Sequence, residues 1–141
     1  MNVLIIEDND HNLYLARFLL EAEGHHVVGA HNAKSGIALA QQRDFDVVLL
    51  DIQLPDMNGH DVARSLRALP KWNRAPIIAL TSFALSGDRE KALAAGCTAY
   101  LEKPIDTDRF VAQITRVSTT FVRLLPNTSY VLSCKTRNNL T

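Results

Sequence analysis

The sequence predicts an α/β fold in which five parallel strands alternate with five helices in a doubly wound sheet. The first observation is that short apolar runs recur along the chain, separated by stretches with helical periodicity. The second is that polar residues directly follow most of these runs, as expected where a strand leaves the core. Such regular alternation is typical of a parallel sheet with helices on both faces and right-handed crossovers.

Length and composition fit one domain. The chain has 141 residues, 47% of them hydrophobic, which is enough for one core and too few for two domains. Its 15 basic and 15 acidic residues cancel, so we expect neither nucleic acid nor a membrane as a partner. Because the chain shows no signal peptide and no apolar run of transmembrane length, we expect a cytoplasmic protein. Its two cysteines form no metal-type cluster.

The first strand is predicted at residues 3–6. Asp10 is the predicted N-cap of the first helix, which runs to about Glu23 and ends at Gly24. The apolar face of this helix is predicted to consist of Leu15, Phe18, Leu19 and Ala22. The run at residues 26–30 is predicted as the second strand.

The third strand is predicted at residues 47–50, an unbroken Val-Val-Leu-Leu run typical of a strand buried on both faces. Asn32 caps the preceding helix, which extends through Gln42. Asp51 follows the third strand directly and therefore lies at its carboxyl end, where open α/β sheets form their ligand crevice. Taken alone, Asp51 could simply begin a turn, because aspartate is common there.

The remaining elements are predicted as a third helix at 59–69, a fourth strand at 77–80, a fourth helix at 87–95, a fifth strand at 99–101 and a fifth helix from Asp106 or Thr107 to about Thr120. The third helix is expected to bury Val62, Leu66 and Leu69, and the fifth to bury Phe110, Ile114 and Val117. We expect a folded domain at residues 1–122 and a loosely ordered C-terminal tail at 123–141, whose role the sequence does not indicate.

Polar residues from four strand ends are expected to converge on one crevice. Glu7 and Asp8 follow the first strand, Asp51 the third, Thr81 the fourth and Lys103 the fifth. Converging carboxylates need a cation, and an oxygen-rich site of this kind suits Mg²⁺. A carboxylate can also act as a nucleophile toward phosphorus, with the lysine and the hydroxyl neutralising the phosphoryl oxygens. The parts required for phosphoryl transfer to Asp51 are therefore present.

Four motifs, in order, resemble those of the receiver domains of bacterial two-component response regulators over about residues 2–120. They are Ile6-Glu7-Asp8-Asn9, Leu50-Asp51-Ile52-Gln53-Leu54-Pro55 with Gly59, Ala79-Leu80-Thr81-Ser82, and Tyr100-Leu101-Glu102-Lys103-Pro104. In detail the chain is similar to single-domain regulators of the DivK type and to receivers attached to hybrid histidine kinases. The resemblance implies the flavodoxin-like receiver fold, with strand order 2-1-3-4-5.

The resemblance also implies a role for each matching residue. Asp51 would be the phosphoacceptor, and Mg²⁺ would be held by Asp51 with the acidic pair Glu7 and Asp8 and by the backbone carbonyl of Gln53. Glu7 in place of an aspartate lies within the family pattern.

Three further positions match the family's switch apparatus. Thr81 and Lys103 would be the switch hydroxyl and the phosphate-binding lysine, and Tyr100 the aromatic that turns inward when the hydroxyl moves. The output surface implied is the face of the fourth helix, fifth strand and fifth helix, carrying Arg89, Glu90, Leu93, Ala94, Arg109, Phe110 and Gln113.

The function predicted is a phosphorylation-dependent protein-interaction switch rather than an enzyme. A histidine kinase or phosphotransfer protein would donate the phosphoryl group, and a downstream protein or a second copy of the chain would bind the output face. Two alternatives stay open, a passive phosphorelay intermediate and the receiver portion of a hybrid histidine kinase, although the start at Met1 favours a separate protein.

Two other classes of protein fit less well. A haloacid-dehalogenase-type phosphatase would need a second aspartate two residues after the nucleophile, where this chain has Gln53, and it would need a cap domain. A DNA-binding transcription factor would need an output domain, and the residues after Arg123 are too few and too weakly basic for one.

Overall fold

A parallel five-stranded sheet forms the centre of the protein in the computed structural model, which describes residues 1–82 and 87–124. The strands lie in the order β2-β1-β3-β4-β5, which confirms the predicted fold class and topology. Their bounds are β1 Asn2–Ile6, β2 His26–Ala30, β3 Val47–Asp51, β4 Ile77–Thr81 and β5 Ala99–Glu102. The central strand β3 is buried over its whole length, as its unbroken apolar run predicts.

Helices cover both faces of the sheet. They are α1 Asp10–Ala22, α2 Ala33–Gln42, α3 Gly59–Arg67, α4 Asp88–Ala94 and α5 Phe110–Leu124, with a short 3₁₀ helix at Pro70–Trp72. Alternate strand residues point to opposite faces, so Leu4 and Ile6 join the core under α2, α3 and α4, whereas Val3 and Ile5 join the core under α1 and α5. No helix among the described residues is long and apolar enough to cross a membrane.

The first helix differs from its prediction in both its cap and its buried face. Asn9, rather than Asp10, is the N-cap, because its side chain accepts a hydrogen bond from the Asn12 amide at 3.0 Å. The buried residues of α1 are Leu13, Ala16 and Leu20. The predicted face was therefore wrong: Phe18 is 57% exposed and stacks on Tyr14 at the surface. Leu13, Ala16 and Leu20 also stand at helical spacing, so apolar spacing alone does not decide which face of the helix meets the sheet.

The later helices also shift slightly from their predicted bounds. α3 ends at Arg67, so Leu69 lies beyond the helix and is only partly buried against the core. α5 begins at Phe110 because Asp106 first closes a turn, accepting from the Asp108 amide on its side chain and from the Phe110 amide on its backbone carbonyl. α5 continues to Leu124, beyond the predicted end. The division between domain and tail stays a prediction, since residues 125–141 lie outside the described part of the chain.

Arg67 joins three segments at the end of α3 and was not singled out by the sequence. Its Nε donates to the carbonyl of Gly96 at 2.7 Å, and its Nη1 donates to the carbonyl of Trp72 at 2.7 Å and to that of Ala75. Its Nη2 donates to the Thr98 hydroxyl at 3.1 Å. One guanidinium thereby connects α3 to the loop before β4 and to the turn between α4 and β5.

Candidate functional site

The carboxyl ends of the parallel strands bring the predicted site residues to one edge of the sheet. Glu7 directly follows β1, Asp51 ends β3 and Thr81 ends β4, and all three side chains are buried, with 2%, 3% and 3% relative exposure. Lys103 follows β5, and its amide donates to the carbonyl of Thr81 at 2.7 Å. Asp8, the next residue after Glu7, is exposed. The predicted convergence is therefore present in the fold.

Lys103 is the cation of this site. Its ammonium nitrogen lies 2.5 Å from Glu7 Oε1 and 3.4 Å from Asp51 Oδ2, and its side chain is only 9% exposed. The other carboxylate oxygen of Asp51 accepts a hydrogen bond from the Gln53 amide at 2.9 Å. Asp51 is thus held on one side by a lysine and on the other by the backbone of its own loop, which fixes the orientation of the carboxylate.

Three carboxylates at this edge could hold a metal ion. Glu7, Asp8 and Asp51 each offer an oxygen, and these atoms all lie within 4.8 Å of one another. Two of the side chains are buried while Asp8 is exposed, so the cluster combines a fixed inner part with access to water. A hard, oxygen-only donor set that leaves room for water suits Mg²⁺, which retains several waters and is held by few carboxylates. The residues present therefore fit the predicted cation.

Without a bound metal ion, the buried carboxylates favour binding a proton, which Asp51 holds. Burial is the largest factor, and together with the neighbouring carboxyl of Glu7 it raises the pKa of Asp51 to about 7. Burial also acts to raise the pKa of Glu7, but hydrogen bonds from Asp51 and Lys103 and the charge of Lys103 outweigh it and lower that pKa. Lys103 supplies one positive charge for two carboxylates, which leaves this site short of positive charge.

Tyr100 lies on β5 beside Thr81, and both side chains line a groove with Gln53 and with the α4 residues Asp88 and Lys91. Tyr100 is half-buried. Burial and the nearby charges of Asp88, Glu102 and Glu90 raise its pKa, while a hydrogen bond with Thr81 opposes that rise. The hydroxyl and the aromatic ring are therefore neighbours, as a coupled movement would require. That movement, like ligation by the Gln53 carbonyl, stays a prediction.

The predicted output face includes one residue that is not on the surface. Phe110 is 1% exposed and packs in the core under α1 and α5, so its assignment to that face was wrong, while its predicted burial by the fifth helix is confirmed. Its position as the first residue of α5, pointing at the sheet, explains the burial. The other predicted members are at least partly accessible, and the apolar Leu93 on α4 is 42% exposed.

The loop between β3 and α3 holds two side chains that the sequence did not assign to the site. Asn58 caps α3 by accepting from the His60 amide at 2.7 Å. Asp56 accepts hydrogen bonds from the amides of Ala33 and Lys34, at 2.8 and 3.0 Å, and so reaches the start of α2. An acidic residue in a loop signals a capping role in the sequence, but not that it caps a helix of another segment.

Comparison with known proteins shows a match to one family along most of the chain. The family model described as the response regulator receiver domain matches residues 3–115. A polar-differentiation response regulator, DivK, from Brucella anthropi is 39% identical over 113 residues, which cover 80% of this chain and 92% of that protein. DivK from Brucella ovis is 38% identical over the same length.

Solved structures of receiver domains are also similar to this chain. A CheY-like response regulator receiver domain protein from Methanospirillum hungatei is 28% identical, with a TM-score of 0.80 over 86% of this chain and 96% of that one. The receiver domain of the sensor histidine kinase PA1611 from Pseudomonas aeruginosa is 33% identical, with a TM-score of 0.75 over the same shares of the two chains. That structure holds a magnesium ion coordinated in its active site cleft.

Proposed function

The chain belongs to the response regulator receiver domain family, and on that basis we propose that it accepts a phosphoryl group on Asp51 from a histidine kinase or phosphotransfer protein. The observation that carries the proposal is the position of Asp51. It is a buried carboxylate at the end of the central strand, oriented by Lys103 and by the Gln53 amide, beside an acidic pair. Receiver domains of two-component systems are signalling domains.

The proposed reaction is displacement at phosphorus by the Asp51 carboxylate. A bond forms between a carboxylate oxygen and phosphorus while the bond between phosphorus and the donor's histidine nitrogen breaks, and the histidine leaves as imidazole. Lys103 lies within reach of one phosphoryl oxygen, and the Thr81 hydroxyl can donate to another. The product is an acyl phosphate, which is intrinsically labile and is therefore lost by hydrolysis. The reactions that the chain would catalyse are thus its own phosphorylation and dephosphorylation only.

The proposed Mg²⁺ ligands are Glu7, Asp8, Asp51 and the carbonyl of Gln53. When bound, the ion would supply the positive charge that Lys103 alone does not provide, and it would neutralise a phosphoryl oxygen. The donor set described above supports this assignment, as does the magnesium in the PA1611 receiver, which is 33% identical to this chain.

The proposed output is a change in protein binding at the α4, β5 and α5 face. The exposed part of that face carries charged residues with the apolar Leu93 among them, a mixture typical of transient recognition surfaces. Because a partner shifts an equilibrium only by its differential affinity, phosphorylated and unphosphorylated states must present different surfaces. The partner would be a downstream protein or a second copy of this chain, and the proposed location is the cytoplasm.

One observation favours a second candidate function. The similarity to the receiver of a sensor histidine kinase fits a chain that serves as the receiver portion of a hybrid kinase. In that case phosphotransfer would be fastest with a kinase encoded in the same polypeptide, which profiling against the kinases of the source cell would reveal.

A small phosphodonor tests the proposed acceptor. Purified protein incubated with Mg²⁺ and acetyl phosphate should gain one phosphoryl group by intact mass spectrometry, whereas Asp51→Asn should gain none. Asp44→Asn, which changes an exposed carboxylate, serves as the matched control and should be labelled like the wild type. Labelling of Asp51→Asn to the wild-type extent would refute the assignment.

A further inference from the structure

The loop that follows Asp51 is attached to a helix outside the proposed site. Asp56 lies in the middle of this loop, and both of its carboxylate oxygens accept hydrogen bonds from α2. Oδ1 accepts from the Ala33 amide at 2.8 Å, and Oδ2 accepts from the Lys34 amide at 3.0 Å. These are the first two amides of α2, and such amides have no partner within their own helix. The contact therefore joins two segments that are more than twenty residues apart in the chain.

The start of α2 divides its hydrogen bonds between two acceptors. Asn32, its N-cap, accepts from the Ser35 amide at 2.8 Å, and Asp56 accepts from the two amides before it. An acidic side chain is also favoured here because the helix dipole is positive at this end. The hydrogen bonds from Ala33 and Lys34 accordingly lower the pKa of Asp56, so the carboxylate is charged at neutral pH.

The other end of the same loop is attached to the proposed phosphoacceptor. The Gln53 amide donates to Asp51 Oδ1 at 2.9 Å, and Gln53 faces Asn58 in an isolated antiparallel bridge. The Gly59 amide closes the base of the loop by donating to the Ile52 carbonyl at 2.8 Å. The loop is thus fixed at its base beside Asp51 and tethered through Asp56 at α2.

We propose that Asp56 is a positioning residue for the metal site: by tethering the loop to α2, it holds the Gln53 carbonyl where it can complete the set of Glu7, Asp8 and Asp51. This inference rests on the proposed function, because Gln53 is a ligand only if the site takes Mg²⁺. Groups that orient ligands without touching the metal commonly change metal affinity about tenfold or more when removed. A backbone carbonyl depends on such support, since it has no side-chain rotamer by which to adjust.

Mg²⁺ affinity, measured without any phosphodonor, tests the role of Asp56. Titration with magnesium chloride, followed through the amide resonances of the site by NMR, should show Asp56→Ala binding about tenfold more weakly than the wild type. Asp56→Asn keeps one acceptor oxygen and should lie between the two. In the metal-free protein, hydrogen exchange should accelerate at the Ala33 and Lys34 amides of Asp56→Ala.

Asn32→Ala is the matched control because it also removes a hydrogen-bond acceptor from the start of α2, but one that does not belong to the loop. It should accelerate exchange at Ser35 and leave Mg²⁺ affinity unchanged. Unchanged affinity in Asp56→Ala, or an equal loss in Asn32→Ala, would overturn the inference while the proposed function stands. If the wild type itself binds no Mg²⁺, the proposed function and this inference both fail.

Discussion

Asp51 lies in a site where its negative charge is unfavourable as long as no metal ion is bound. Its side chain is 3% exposed, and it shares the site with the carboxylate of Glu7, while Lys103 supplies a single compensating charge. Burial and the neighbouring carboxyl raise its pKa from the ordinary 3.8 to about 7. A carboxylate arranged in this way binds a proton or a metal readily, and that affinity costs the metal-free protein some stability.

Replacing Asp51 should therefore stabilise the metal-free protein. Because the folded-state pKa of Asp51 exceeds its unfolded value, the contribution of Asp51 to the wild-type stability should fall as pH rises from about 4 to about 7. Asp51→Asn keeps the acceptor for the Gln53 amide and loses the charge. We expect its free energy of unfolding at pH 8 in EDTA to exceed the wild-type value by on the order of 2–4 kcal/mol.

This difference should shrink below pH 4, where the wild-type carboxyl is protonated in both states, and should diminish in Mg²⁺. Urea denaturation at several pH values measures it, with Asp44→Asn as an exposed control that should leave the stability unchanged. A less stable Asp51→Asn at pH 8, or a difference that does not depend on pH, would contradict the electrostatic description of the site.

The positions of individual site residues could be predicted from the sequence where these residues follow strands. The proximity of Asp51, Thr81 and Lys103 could be predicted because the carboxyl ends of parallel strands lie at one edge of the sheet. Residues that follow such strands therefore lie close together in the fold. Two other features were not anticipated: the contact of Asp56 with the start of α2 was not predicted, and the buried Phe110 was also assigned to the output face. Whether a loop carboxylate reaches a helix of another segment depends on how the elements pack, which the sequence does not record.

At the scale of elements, apolar runs and glycine stops predict the strands and helices well, and their ends less well. The second strand was predicted with its observed bounds, whereas α1 was predicted with the wrong buried face. The short apolar run is enough to predict the bounds of β2, but a helix with apolar residues on several sides can pack against the sheet with any of them. The outcome depends on which side chains fit, here Leu13, Ala16 and Leu20.

Arg67 provides an element-scale test, because one side chain connects three segments. A lysine cannot reproduce the planar array of donors that reaches the carbonyls of Gly96, Trp72 and Ala75. We expect Arg67→Lys to lower the free energy of unfolding by about 2–3 kcal/mol, since it leaves acceptors without a charged donor. Chemical denaturation monitored by circular dichroism measures the change.

Arg64→Lys is the matched control, one turn earlier in the same helix. Arg64 forms an exposed pair with Asp61 at 2.6 Å, and such pairs contribute little. Its substitution should change the stability by less than about 0.5 kcal/mol. If the two substitutions lower the free energy of unfolding equally, the hydrogen bonds of Arg67 contribute no more to the stability than an exposed ion pair does.

At the scale of the whole molecule, the sheet connects the proposed chemistry to the proposed output face. Thr81 ends β4, and Tyr100 lies on the neighbouring strand β5, whose following segment carries Lys103. A change at Asp51 that draws the Thr81 hydroxyl would therefore act next to Tyr100 and α4. This arrangement could be anticipated from the sequence through the order of its motifs, whereas the output face that the resemblance implied wrongly included the buried Phe110.

Beryllofluoride with Mg²⁺, which mimics a phosphoryl group, should test this connection. We expect amide shifts to extend from Asp51 to Tyr100 and along α4, and sedimentation or partner binding to change with them. The same additions to Asp51→Asn should produce no such shifts. If the wild-type shifts remain around Asp51, the switch mechanism fails for this protein, and a passive phosphorelay role becomes the better explanation.

The most direct measurement is to locate the transferred group chemically. The protein would be incubated with Mg²⁺ and a phosphorylated histidine donor, then treated with borohydride, which reduces an aspartyl phosphate to homoserine, and its peptides sequenced by mass spectrometry. The proposed function predicts homoserine at position 51 and at no other aspartate. Reduction at a different residue, or a phosphoryl group on serine, threonine or histidine that survives the treatment, would contradict it.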